Sequence, residues 1–276
     1  MTSPANQPSS IAFIGGGNMA SAFIGGLMAQ GLSAASITVV EPLEAARDAL
    51  KAKFGIDALP AATAALQAAE LVVWAVKPQT FKDAAAATSP YTRHALHLSV
   101  AAGITTDSIA QWLGTGRIVR AMPNTPALVG KGMTGLFARA DVDAAGCAQV
   151  EAVIGTTGQF MWVEQESHLD AVTALSGSGP AYVFFFLEAM TRAGQDMGLS
   201  EAQAYQMAVA TFQGASELAA RSDEPAAVLR ERVTSKGGTT FAAITHMQDT
   251  QVAAHFVQAM RKAEARAQEL AAEFGR

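Results

Sequence analysis

Ile11-Ala12-Phe13-Ile14-Gly15-Gly16-Gly17-Asn18-Met19-Ala20 is the stretch on which the reading of this chain turns. The apolar run at 11–14 predicts a buried strand. Met19, Phe23 and Leu27, recurring at i, i+4 and i+8, predict a helix just after it. Between them, Gly15, Gly17 and Ala20 fit the spacing G-x-G-x-x-G/A. The first small residue permits a tight turn, the second lets a pyrophosphate reach the backbone, and the third lets helix pack on strand. A helix starting there offers unpaired N–H groups and a positive dipole end to phosphates. Glycine spacing alone also marks plain turns. The strand before it and the helix after it are the context that favours a dinucleotide site.

Working outward, residues 37–40 form a β-branched run that predicts a second strand, and Glu41 closes it. An acid about twenty residues past the glycine turn is where this kind of domain holds a ribose 2′-hydroxyl. Arg47, on a helix predicted over 43–54, is placed to reach a 2′-phosphate instead, so the choice between NADH and NADPH stays open. Further strands are predicted at 71–76, 95–100 and 118–121, with others at 133–138 and 160–163 around a helix starting near Asp141. Ligands of open α/β sheets sit beyond the carboxyl ends of strands. Lys77-Pro78-Gln79, Ala101-Ala102-Gly103 and Met122-Pro123-Asn124-Thr125-Pro126 all occupy such ends. The paired prolines fix the last loop, so Asn124 is held in place.

From Ser167 onward the pattern is helical, at 169–175, 181–197, 201–221, 225–233, 239–247 and 250–274. The expected fold is therefore α/β: an N-terminal Rossmann-type dinucleotide-binding domain over 1–165, then an all-α C-terminal domain over 166–276. The helix carrying Val183-Phe184-Phe185-Phe186-Leu187 is apolar on several faces. A helical domain of this size buries few such helices alone, which predicts a homodimer or higher homo-oligomer through it. Two stretches interrupt the helices with glycines and hydroxyls: Ser176-Gly177-Ser178-Gly179-Pro180 and Val233-Thr234-Ser235-Lys236-Gly237-Gly238-Thr239-Thr240. Each opens a helix and can hold a carboxylate or phosphate, or serve simply as a cap.

The chain has 276 residues, 50% of them hydrophobic and 16% charged, with a net charge of −5. This suits an enzyme acting on small molecules and offers no basic surface for nucleic acid. Cys147 is the only cysteine, and the histidines form no i, i+4 pair, so neither a disulfide nor a metal site is expected. The apolar run at 181–187 is too short to cross a bilayer, and residues 1–10 lack the apolar core of a secretion signal. Cytoplasmic placement, with no membrane association, is the expectation.

The chain resembles the pyrroline-5-carboxylate reductases over nearly all its length after the first residues. The resemblance rests on the stretches at 13–20, 75–79, 122–126, 176–182 and 237–240. It implies reduction of 1-pyrroline-5-carboxylate to L-proline by hydride from NADPH or NADH, the last step of proline biosynthesis. Ile14, Gly15, Gly17, Asn18, Met19, Ala75, Val76, Lys77, Pro78, Val100, Ala102 and Asn124 would line the cofactor, with Glu41 at the ribose. Val233, Ser235, Gly238, Thr239 and Thr240 would bind the substrate, the Thr240 hydroxyl meeting the ring nitrogen as the catalytic group. Lys236 departs from the proline usual in such loops, and Ala62 from an asparagine near the adenine. A related imine or hydroxyacid reductase is one alternative, although the helix after Ser176 lacks the lysine a hydroxyacid dehydrogenase needs. A non-catalytic dinucleotide-sensing protein is the other.

Overall fold

A computed structural model describes residues 8–275, and the part of the expected N-terminal tail before residue 8 lies outside them. The chain divides into two compact units. One runs up to Ser178 and includes the residues from Ala263 onward; the other is Gly179–Lys262.

The first unit is built on a seven-stranded sheet ordered β2-β1-β3-β4-β5-β6-β7. Its strands are β1 (Ile11–Ile14), β2 (Ile37–Val40), β3 (Leu71–Trp74), β4 (Leu96–Ser99), β5 (Ile118–Met122), β6 (Gly132–Ala138) and β7 (Gly158–Trp162). The first five are parallel, β6 pairs antiparallel to β5, and β7 runs parallel to β6. The helices are α1 (Asn18–Ala29), α2 (Glu44–Phe54), α3 (Pro78–Thr92), α4 (Thr106–Leu113), α5 (Ala144–Ile154) and α6 (His168–Val172). Side chains alternate along each strand, and both faces of β1–β5 are covered, whereas β7 at the edge leaves Gln159 and Met161 exposed. Ile11, Phe13, Leu71 and Val73 pack with Phe23, Leu27, Leu50 and Val153 from α1, α2 and α5. Ala12, Ile14, Val72 and Trp74 pack with Phe81, Ala85, Ile109 and Leu113 from α3 and α4. Strands covered on both faces read as continuous apolar runs, which is why the sequence shows them so plainly.

Strand order positions the site. The chain leaves β1 for β2 on one side and returns to β3 on the other, so the two connections part beside β1 and open a crevice there. Register sets Ile14 level with Val40 and Trp74, and Trp74 level with Ser99. Gly15, Glu41, Ala75 and Val100 thus follow side by side. The runs predicted at 71–76 and 95–100 stop early as strands, because their last residues leave the ladder to form this edge. Neither α3 nor α4 was among the expected elements.

The second unit is helical among the described residues: α7 (Gly179–Asp196), α8 (Glu201–Ala220), α9 (Ala226–Arg232), α10 (Thr239–Asp249) and the start of α11 (Val252–Phe274). A capping box of Ser200 and Gln203 starts α8. Gly194 lets α7 approach α8, since a Cβ there would stand 2.6 Å from the Ala204 Cβ. Tyr182 and Phe186 meet Phe256 edge-on. Phe184, Phe185, Tyr205 and Met207 remain more than half exposed in the single chain. No helix among the described residues is long and apolar enough to cross a membrane.

Candidate active site

The turn after β1 is built by three glycines with different tasks. Gly15 takes φ +95°, a left-handed conformation that only glycine adopts freely, and donates its N–H to Val40 O at 2.8 Å. A Cβ there would lie 2.6 Å from Ala75 O. Gly16 donates to Glu41 Oε2 at 2.8 Å. Gly17 is the N-cap of α1, with ordinary φ and no side-chain cap, and a Cβ on it would meet nothing within 4 Å. An exposed glycine over open space, at an uncapped helix start whose first N–H groups have no intrahelical partner, fits the pyrophosphate of a dinucleotide.

The neighbouring strand ends complete this edge. Ala75 donates to Ile14 O at 2.8 Å and Val100 to Trp74 O at 3.0 Å. Ala75, Val76, Pro78, Val100 and Ala102 are half-buried. Lys77, the N-cap of α3, is exposed and has no ion-pair partner among the described residues. Ile14, Gly15, Gly17, Asn18, Met19, Glu41, residues 75–78, Val100 and Ala102 therefore share the carboxyl edge of one sheet. Glu41 is 8% exposed, with Oε1 accepting the Leu43 N–H at 2.9 Å, so its carboxylate is held by backbone rather than standing open in solvent.

Asn124 sits past the end of β5 and is engaged on both sides of its amide. Its Nδ2 donates to Ser176 O and Oγ at 3.2 and 3.1 Å, and its Oδ1 accepts the Met133 N–H at 2.9 Å. Ser176 lies in a π-helical segment, Thr173–Gly177, that continues α6. Such wide turns recur at functional sites.

One network escaped the sequence reading. Arg120, 4% exposed on β5, pairs with Glu166 at 2.9 Å, and Glu166 also accepts the N–H and hydroxyl of Thr106 at 2.7 and 2.6 Å. This carboxylate fastens the start of α4 and so the loop that follows Val100. Its signal was available: a charge inside an apolar strand must find a partner. Nearby, burial raises the pKa of Asp170, while Arg120 pulls it the other way.

In the second unit, the predicted substrate loop joins α9 to α10. Gly237 takes φ +79°, Gly238 is the N-cap of α10, and the Gly238 N–H closes the turn on Ser235 O at 3.0 Å. No side chain caps α10. Ser235, Thr239 and Thr240 are exposed, and their hydroxyls have no hydrogen-bond partner among the described residues. Val233 is 67% exposed. Lys236 is exposed beside them and has no ion-pair partner among the described residues. No group of three or more His, Cys, Asp or Glu able to hold a metal occurs among the described residues.

Comparison with known proteins agrees with both halves. Residues 166–270 match the family described as pyrroline-5-carboxylate reductase dimerisation, and residues 10–103 match NADP oxidoreductase coenzyme F420-dependent. The chain is 44% identical over 267 residues to the pyrroline-5-carboxylate reductase of Pseudomonas aeruginosa, covering 96% of this chain and 98% of that one. A solved pyrroline-5-carboxylate reductase from Coxiella burnetii superposes with a TM-score of 0.88 at 38% identity, over 95% of this chain and 98% of that one. The Plasmodium falciparum enzyme, solved with NADP bound, shares the fold at 24% identity and a TM-score of 0.84, over 95% and 98% of the two chains. The chain belongs to the pyrroline-5-carboxylate reductase family, NAD(P)H-dependent oxidoreductases that reduce 1-pyrroline-5-carboxylate to L-proline.

Proposed function

We propose that this reduction runs with the cofactor on the carboxyl edge of the sheet and the substrate on the loop before α10. Residues 1–165 form the cofactor domain in this reading, and residues 166–276 the substrate-binding and dimerisation domain. The observation that carries it is the start of α10. Unpaired first-turn N–H groups there stand beside the free hydroxyls of Ser235, Thr239 and Thr240. That set suits a carboxylate next to a ring nitrogen.

The bound nicotinamide supplies a hydride to the imine carbon, and the ring nitrogen ends as the amine of proline. The chain's residues orient and polarise. The unpaired Thr239 amide and the Ser235 hydroxyl hold the carboxylate over Gly238, and Val233 flanks them. Thr240 Oγ1 meets the ring nitrogen, fixing the face presented and favouring the protonated, more electrophilic imine. No strong acid or base is needed. Lys236 draws in the anionic substrate as a solvated charge. The enzyme works as a homodimer or larger assembly in the cytoplasm, with no nucleic-acid partner.

The test is oxidation of NADPH or NADH on adding 1-pyrroline-5-carboxylate to the purified chain. Turnover with at least one cofactor is expected. Cofactor binding without any turnover would overturn the reading in favour of a sensor.

A further inference from the structure

Three segments of the chain that reach the sheet edge separately are joined at one carboxylate. Thr106 opens α4, and its amide is one of the first-turn N–H groups that no carbonyl of the helix can take. Glu166 Oε1 accepts that amide at 2.7 Å, and Oε2 accepts the Thr106 hydroxyl at 2.6 Å. From inside β5, Arg120 Nη1 donates to Oε1 at 2.9 Å. The Glu166 carbonyl accepts the Leu169 N–H at 2.9 Å and so starts α6. The side chain of Arg120 is 5% exposed and that of Glu166 20%, so this pair holds its geometry where an ion pair in open solvent would not.

Each of the three segments leads within a few residues to the edge where the cofactor is read. Between Val100 and Thr106 the chain is held at both ends, Val100 by Trp74 O and Thr106 by Glu166. Midway, Gly103 takes φ +72° and admits Leu270 of α11, whose Cβ would stand 3.1 Å from a Cβ on the glycine. β5 ends two residues after Arg120, just before Asn124. α6 runs on into the π-helical turn whose Ser176 receives the Asn124 amide at 3.1 and 3.2 Å. Glu166 is thus the joint between the Val100–Ala102 loop and the Asn124–Ser176 contact. With adenosine at β2 and pyrophosphate at the β1 turn, the strand order leaves the ends of β4 and β5 to the nicotinamide half.

We propose that Glu166, oriented by Arg120, is a positioning residue for hydride transfer: through Thr106 it sets the spacing between the Val100–Ala102 loop and Asn124, the two walls between which the nicotinamide is presented to the imine. The inference rests on the cofactor reading of the sheet edge. Glu166 itself touches neither cofactor nor substrate. Hydride transfer depends steeply on the separation of the reacting carbons, and a misplacement of about 1 Å costs ~100-fold in rate. Binding of the adenosine half, at β1 and β2, does not depend on this joint.

Two substitutions in the full chain test this. Glu166→Gln keeps the shape and removes the charge; Thr106→Val keeps shape and amide and removes the hydroxyl. In the cofactor-free protein, amide hydrogen exchange over residues 101–106 should rise ~10-fold or more in both variants, with β1 and β3 unchanged. With whichever of NADPH or NADH the unaltered chain turns over faster, kcat should fall ~10-fold or more in Glu166→Gln and ~5-fold in Thr106→Val. KM for 1-pyrroline-5-carboxylate and affinity for the fragments 5′-AMP and 2′,5′-ADP should stay within about twofold, and Thr106→Ser should restore the native kcat. Unchanged kcat or unchanged exchange overturns the proposal. So does a loss of fragment affinity as large as the loss of kcat, which would mark Glu166 as holding the fold alone. Where a melting curve shows that Glu166→Gln has not folded, Thr106→Val decides, because it leaves the ion pair in place. Failure of the unaltered chain to bind either fragment or either cofactor overturns the cofactor reading instead.

Discussion

Thr240 and His97 show how differently two polar residues can serve one protein. Thr240 is exposed at the start of α10 with its hydroxyl unengaged among the described residues, which suits a group that waits for a ligand. Thr240→Ala should lower turnover by ~10- to 100-fold with cofactor affinity unchanged, and Thr240→Ser should restore most of it, as steady-state kinetics beside cofactor titration would show. His97 is spent entirely on the fold. Trp74 Nε1 donates to its Nδ1 at 3.0 Å, so the ring proton sits on Nε2 and donates to Thr92 O at 3.1 Å. Burial lowers its pKa from 6.5 to about 4, although the Thr92 carbonyl favours the charged ring. Between those two pH values the unfolded chain binds a proton that the native one refuses. Native stability therefore falls as pH drops through that window, by up to about 3 kcal/mol. Urea midpoints measured across it should fall more steeply for the native sequence than for His97→Gln.

At the scale of elements, the unit from β1 through the glycine turn to α1 was legible because strand run, glycine spacing and helix period are all local properties of one stretch. Local features also separate the glycines. Gly15→Ala forces a side chain into a left-handed conformation with its Cβ 2.6 Å from Ala75 O, and should cost about 2 kcal/mol or more in denaturant unfolding. Gly17→Ala meets nothing within 4 Å and has ordinary φ, so its melting temperature should hold while affinity for either cofactor drops ~10-fold or more by fluorescence titration. Other elements were hidden for physical reasons. The buried face of α3 includes Thr88, Ser89 and Thr92, with Pro90 inside the helix, so it shows no apolar stripe. Arg120 finds Glu166 forty-six positions away, and Asn124 finds Ser176 fifty-two away, pairings that only the folded chain creates. Spacing sets Glu41 at the end of β2, where the structure has it, but the amides that turn its carboxylate inward cannot be read from spacing.

At the scale of the whole molecule, the apolar faces left open on the second unit are explained by its match to a dimerisation family. Phe185, 66% exposed, adds an apolar ring to such a face. Phe185→Glu should shift the assembly toward monomer in sedimentation at micromolar concentration, with helical circular dichroism retained. The last described turns of α11 are allotted differently. Leu270 lies against Gly103, Phe274 joins the core that contains Trp74, and Ser108 Oγ donates to Gly275 O at 2.8 Å. The cofactor unit therefore borrows a piece made only after the entire helical unit has been synthesised. During synthesis, its sheet can form early, but the patch around Gly103, Ser108 and Ile109 stays uncovered until the second unit has been translated, which ties the maturation of one half to the completion of the other.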